Sequence, residues 1–337
     1  VIPAAFEQAV ETESSAVGAA ISIPAIEGRS TWELLISRLR QDPVAIISFI
    51  TIVLIALLAI FAPVVAHLTG HSPIVTNLDT GTDASGRPLA PGHNGYLLGT
   101  DNLGRDILVR IAYGARISLL VGVVATAIAS AVGVILGLVA GYYGGVIDTV
   151  LARLMDVVLS FPYVLFALAL VAAVGPSLTL TVGVIAFFSW AAIARIVRGQ
   201  AISQREKEYV EAARSLGARD IRIMFIDILP NLIAPVIVLA TLLVPAAIVF
   251  EATLSYLGLG ISLPTASWGN MLSDAQGSIG ANPFNIWWFW VFPMVFLLMT
   301  TLAFNLFGDA VRDALDPRAE RLFATRKRRN RPGKSST

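Results

Sequence analysis

Six stretches of this chain are apolar for long enough to cross a lipid bilayer, and that decides the solvent in which it folds. A helix needs about 20 residues to span the hydrocarbon core, with about 17 to 25 as the working range. The stretches cover residues 44–66, 117–140, 157–174, 178–194, 232–250 and 286–307. With no water in the hydrocarbon, a spanning segment must satisfy its own backbone groups, which a helix does. The expectation is an all-α membrane protein with six transmembrane helices. At 56% hydrophobic and 14% charged residues over 337 positions, with mean hydropathy +0.75, the composition excludes an ordinary soluble domain.

Charge orients the spans. An even number of crossings puts both termini on one side. Of the 24 Lys and Arg residues, only Arg87, Arg105, Arg110 and Arg116 fall in segments on the other side. By the positive-inside rule the termini and the loop at 195–231 are expected to be cytoplasmic. A net charge of +1 gives no pointer to nucleic acid, and the absence of cysteine removes disulfides, thiolate metal sites and a cysteine nucleophile. Residues 1–30 have no basic region followed by a continuous apolar run, so they do not read as a cleaved signal peptide.

The organisation that follows has five parts. Residues 1–43 form a cytoplasmic tail that ends in an interfacial helix, opened by a Ser30/Glu33 capping box and carrying Trp32, Leu34, Leu35 and Leu39. Residues 44–66 are the first span and 67–116 an extracytoplasmic segment, in which Thr100 to Asp106 can cap a short surface helix. A five-helix core occupies 117–309, and a basic tail 310–337. Within the core, residues 251–285 hold too many Gly and Pro for a span, yet are apolar enough to dip back into the protein.

Two patterns inside the core predict packing and shape. Gly133, Gly137, Gly141 and Gly145 recur every fourth residue, extended upstream by Ala125 and Ala129. Such a ridge lets helix backbones approach closely in lipid, and the sequence does not say whether the partner is in this chain. Pro162, Pro235, Pro245 and Pro293 lie in or near spans and are expected to kink them. Ser189, Thr241, Thr300 and Asn305 are candidates to line a path, although each can equally bond its own helix backbone.

The segment from Glu208 to Pro230 is a charged loop between two spans. Tyr209, Ala212, Ala213 and Leu216 fall at i, i+3, i+4 and i+7, one apolar stripe on a short helix, with Glu208, Glu211, Arg214 and Ser215 opposite. Gly217 is placed to stop that helix in the left-handed conformation, and Asp220 to cap a second one carrying Ile221, Met224, Phe225 and Ile228. Leu229 and Pro230 then begin the next span.

This spacing, Glu211-Ala212-Ala213, three residues, Gly217, then Leu229-Pro230, resembles the EAA loop of ABC-transporter permeases. It departs from the family pattern at Asp227, where an apolar residue is usual. The two outer segments and GDAVRDALDPR (Gly308 to Arg318) resemble the C-type permease subunit of dipeptide, oligopeptide and nickel importers, over roughly residues 30 to 320. The resemblance implies a type I importer permease fold and a second, B-type permease beside this chain. It also implies two ATP-binding subunits that hold ATP and magnesium, and an extracytoplasmic binding protein that delivers peptide. Tyr209, Glu211, Ala212, Ala213, Arg214, Leu216, Gly217, Leu229 and Pro230 are then the residues that couple to the ATPases. A nickel or other small-solute cargo stays open, as does an amphipathic linker lying on the bilayer.

Other chemistry finds little support. Gly333-Lys334-Ser335 echoes a phosphate loop, but position 328 is Arg where glycine is needed, so hydrolysis is assigned to partners and the chain is read as non-enzymatic, with no cofactor of its own. His67, His71 and His93 share the first outer segment without a carboxylate or thiolate at ligand spacing, and no metal site is expected. An ion-coupled secondary transporter keeps ionisable residues inside its spans. Here Glu251 and Asp156 are placed only at span edges. The basic run Arg326 to Arg329 with Arg331 and Lys334 suits a solvated tail or contact with anionic lipid.

Overall fold

The computed structural model describes residues 31–262, 264–279 and 286–315. The N-terminal tail, Ser30 of the capping box, Asp316 to Arg318 and the basic run lie outside them. The described residues are helical apart from turns and three isolated bridges in the outer segment. In order they form α1 (Thr31–Leu39), α2 (Pro43–Ile60), α3 (Ala62–Thr69), α4 (Leu78–Gly81), α5 (Ile107–Tyr143), α6 (Gly145–Ser160) and α7 (Tyr163–Val174). There follow α8 (Leu178–Arg205), α9 (Glu208–Ser215), α10 (Asp220–Arg222), a π-helical turn (Ile223–Ile228), α11 (Leu229–Tyr256), α12 (Trp268–Ile279) and α13 (Trp287–Leu315).

Among the described residues five helices are each long and apolar enough to cross a membrane, and a sixth span results if α6 and α7 are counted as one. The kink expected at Pro162 is there, the axes bending by 77° at the break, and the helix before it begins at Gly145 rather than at 157. The cause is local. Pro162 has no N–H to continue the helix and pushes Phe161 out of the helical region, to φ −75°, ψ 136°. The first span also breaks earlier than expected, at Phe61, with Pro63 in the first turn of α3. Pro235, Pro245 and Pro293 lie inside helices that run on without a break.

Caps set the ends. Asp106 N-caps α5, its carboxylate accepting from the Leu108 and Val109 amides, so α5 starts at Ile107 and there is no separate surface helix before it. Ser177 caps α8 by accepting from Leu180 N at 3.1 Å. The most extensive helix interface joins α5 to α8, and it is where the glycine ridge lies. A β-carbon on Gly133 would stand 2.7 Å from Ile193 Cβ, on Gly137 2.5 Å from the Ala194 carbonyl, and on Gly141 2.6 Å from Ala201 Cβ. The partner of the ridge is therefore in this chain. Gly145 stands apart from it: Gly144 ends α5, Gly145 opens α6 at φ +54°, and its position faces open space.

Residues 70–106 are folded down onto the helix ends. Trp288 donates to the Thr100 carbonyl at 3.3 Å, and the Thr100 hydroxyl donates to the Gly81 carbonyl at 2.6 Å. Arg105 and Arg110, both buried, share Asp101 and Asp274 as carboxylate partners. The segment after α11 does turn back into the protein, through α12: Trp268 is fully buried and donates to the Ile111 carbonyl of α5 at 3.2 Å. His71 stands 2.7 Å from Asp106 and stacks on Tyr96, a packing arrangement.

Candidate functional site

The loop between α8 and α11 is built on one anchor and one stop. Val210 is 0% exposed and packs among Leu138, Tyr142, Ala201, Ile223 and Ile228, with Ala213 and Ala218 against the same cluster. The stop is at Gly217, φ +77°, whose N–H donates to Arg214 O at 2.9 Å while Ala218 N–H donates to Ala213 O at 3.0 Å. These two bonds are the Schellman closure, which needs a residue at positive φ after the last helical turn.

The result is a short rigid helix with two apolar faces. Val210 and Ala213 hold the inner face. Tyr209, Ala212 and Leu216 point outward, Leu216 being 88% exposed, beside exposed Glu211 and Arg214. The Tyr209 hydroxyl donates to Gln204 at 2.9 Å and accepts from Asn231 at 3.3 Å. Partial burial, aided by the charge of Asp227, raises its pKa above the ordinary tyrosine value, so it stays neutral. Val210 was missed in the sequence because the Tyr209 stripe satisfied the helical period by itself; its i, i+3 relation to Ala213 was the available signal.

Beyond Gly217 the structure corrects the sequence reading. Asp220 is the first residue of a helix that runs through the π turn into α11, rather than the cap of a separate helix. Its carboxylate accepts from the Tyr142 hydroxyl at 2.7 Å, at the C-terminal end of α5. Leu229 and Pro230 sit just after the π turn, where Leu229 N–H reaches back to Met224 O. Pro230 has no N–H and its ring crowds the preceding turn, and a widened turn before it relieves both constraints.

The four path candidates are not brought together. Thr241 donates to Val238 O, Thr300 to Phe296 O and Asn305 to Thr301 O, each within its own helix. Ser189 lines a cavity of about 270 Å³ at the α6–α7 bend. Phe161, Tyr163, Phe188 and Phe250 make up much of its wall, and no charged side chain faces it.

Glu251 lies in the last turns of α11, which ends at Tyr256. It is fully buried within α11, its carboxylate accepting from Ser118 at 2.9 Å and Ser255 at 2.7 Å.

Residues 133–321 match the model of a family described as binding-protein-dependent transport system inner membrane component. Residues 30–83 match the N-terminal TM domain of oligopeptide transport permease C. The oligopeptide transport system permease protein OppC of Escherichia coli K12 is 43% identical over 293 residues, 87% of this chain and 93% of its own length. The dipeptide transport system permease protein DppC of Alkalihalophilus pseudofirmus is 43% identical over 289 residues, 86% and 90%. A solved chain of the MetNI methionine ABC transporter, in inward-facing conformations, aligns over 61% of this chain and 96% of its own at TM-score 0.49 and 16% identity. The long apolar helices, the two family models and the relatives OppC and DppC bear out the resemblance, and the chain belongs to the binding-protein-dependent transport system inner membrane components, as a multi-pass permease akin to OppC and DppC.

Proposed function

We infer that this chain is one of two permease subunits of an ATP-driven importer that brings dipeptides or oligopeptides into the cell. A homologous permease completes the path. Two ATPase subunits, carrying ATP and magnesium, dock on the cytoplasmic side, and an extracytoplasmic binding protein loads the outer side. Both termini face the cytoplasm in this reading, on the strength of the Lys and Arg distribution. The peptide assignment takes its support from what OppC and DppC are named for.

The observation that carries the coupling role is the two-faced helix α9. A helix pinned by Val210 and closed at Gly217, yet presenting Leu216 and Tyr209 to solvent, suits insertion into a partner's groove. When the ATPases close on ATP, α9 follows as a lever and the spans rock from inward-open to outward-open. Nucleotide can drive this only if its contacts favour one arrangement over the other. Ser189 and the aromatic wall around it form part of the path, and the lack of charge there suits a cargo of varied side chains.

The test is copurification from gently solubilised membranes. Recovery of a second permease and two ATPase subunits, with ATP hydrolysis stimulated by peptide-loaded binding protein, is the expected result. A chain that runs alone and transports under an ion gradient without ATP overturns the reading.

A further inference from the structure

We propose that Tyr142 is a positioning residue that carries the movement of α9 into α5, giving the coupling loop a second output beside the directly connected α11. This rests on the coupling role of α9 proposed above. Tyr142 is the penultimate residue of α5 and is 4% exposed. It touches both arms of the loop. Its hydroxyl donates to Asp220 at 2.7 Å, at the start of the helix leading into α11, and the Arg214 guanidinium of α9 lies 5.3 Å over its ring. Its carbonyl accepts from Arg205 at the end of α8, at 3.3 Å.

Packing makes the contact stiff. Tyr142 belongs to the buried cluster that holds Val210, Ile223, Met224 and Ile228, so side chains of the loop and of α5 interlock around it. One residue earlier, Gly141 meets Ala201 at backbone distance, which ties the same end of α5 to α8. A rotation of α9 about the Gly217 joint lifts Arg214 off the ring unless Tyr142 follows, and a shift of the arm beyond the joint pulls on Tyr142 through the Asp220 bond. Densely packed interiors pass such displacements on rather than absorb them. The loop therefore drives α5 and α8 together with α11.

The experiment uses the complete reconstituted assembly and reads peptide moved per ATP hydrolysed. Tyr142→Phe keeps the ring under Arg214 but cannot donate to Asp220, while Asp220→Ala removes the acceptor at an exposed position. Each variant is expected to lower the ratio severalfold, with unchanged ATPase copurification and unchanged KM for ATP. The double variant is expected to be no worse than the poorer single one. Wild-type ratios in both single variants overturn the proposal, and so does an additive loss in the double variant. Loss of ATPase copurification in both also overturns it, since the contact would then hold the assembly rather than pass motion. Absence of peptide-stimulated hydrolysis in the wild-type assembly is a separate outcome that removes the importer reading and this inference with it.

Discussion

Gly137 faces Ala194 so closely that a β-carbon on the glycine would stand 2.5 Å from the alanine carbonyl oxygen. That oxygen belongs to the backbone of α8, which cannot step aside as a flexible side chain can. The methyl group of Gly137→Ala therefore pries α5 from α8, at an overpacking cost of typically about 1–3 kcal/mol. Gly145→Ala meets no neighbour, and its cost, about 1–2 kcal/mol, is only that of a left-handed backbone conformation. In thermal unfolding of the purified protein, Gly137→Ala is expected to lower the midpoint more than Gly145→Ala. The reverse order would take the ridge out of the α5–α8 interface.

Gly217 separates backbone strain from steric clash, because its φ is +77° and nothing lies within 4 Å of an added β-carbon. Gly217→Val costs on the order of 1 kcal/mol in conformation alone and reorients α9. Gly217→Asn tolerates the left-handed region and is the milder change. The expected result is that Gly217→Val inserts normally but loses substrate-stimulated ATPase activity in the assembly, and Gly217→Asn keeps most of it. Equal coupling in Val, Asn and wild type would remove the joint from the mechanism.

The sequence revealed what depends on neighbours in the chain and missed what depends on distant ones. Gly217 as a helix stop could be read from the residues before it, since the closure bonds span only Ala213 to Ala218. The apolar run from 157 to 174 showed a span and Pro162 a kink in it, but the 77° size of the bend depends on the backbone around Pro162, to which hydropathy is blind. Asp220 looked like a cap because its true partner, Tyr142, is 78 positions away. The bond from Ser118 to Glu251 was hidden in the same way, the two being 133 positions apart. The α8 side of the glycine ridge was equally invisible, since small residues announce a close contact and not its address.

The buried Glu251 should tolerate loss of charge better than loss of its oxygens. Glu251→Ala leaves the Ser118 and Ser255 hydroxyls without their acceptor in a closed site, at about 1–3 kcal/mol for each unsatisfied group. Glu251→Gln keeps the volume and one acceptor oxygen. Thermal unfolding is expected to rank the proteins wild type, then Gln, then Ala in falling stability. Identical midpoints for all three would mean that the carboxylate does not hold α5 to α11.

The cavity at the α6–α7 bend offers the most direct check on where cargo passes. Ser189 is half-buried and faces space bounded by Phe161, Tyr163, Phe188 and Phe250, so an indole there projects into the cavity rather than into packed protein. Asn305 is exposed and bonds Thr301 O on its own helix at 2.9 Å, which makes its side chain a control away from this cavity. Ser189→Trp is expected to abolish peptide uptake by the reconstituted assembly while subunit copurification and unstimulated ATP hydrolysis persist. Asn305→Ala is expected to transport as wild type does. Blocked passage with the motor still turning over distinguishes an obstructed path from a broken assembly. Wild-type uptake by Ser189→Trp would place the route elsewhere and leave the aromatic wall as packing around a proline break.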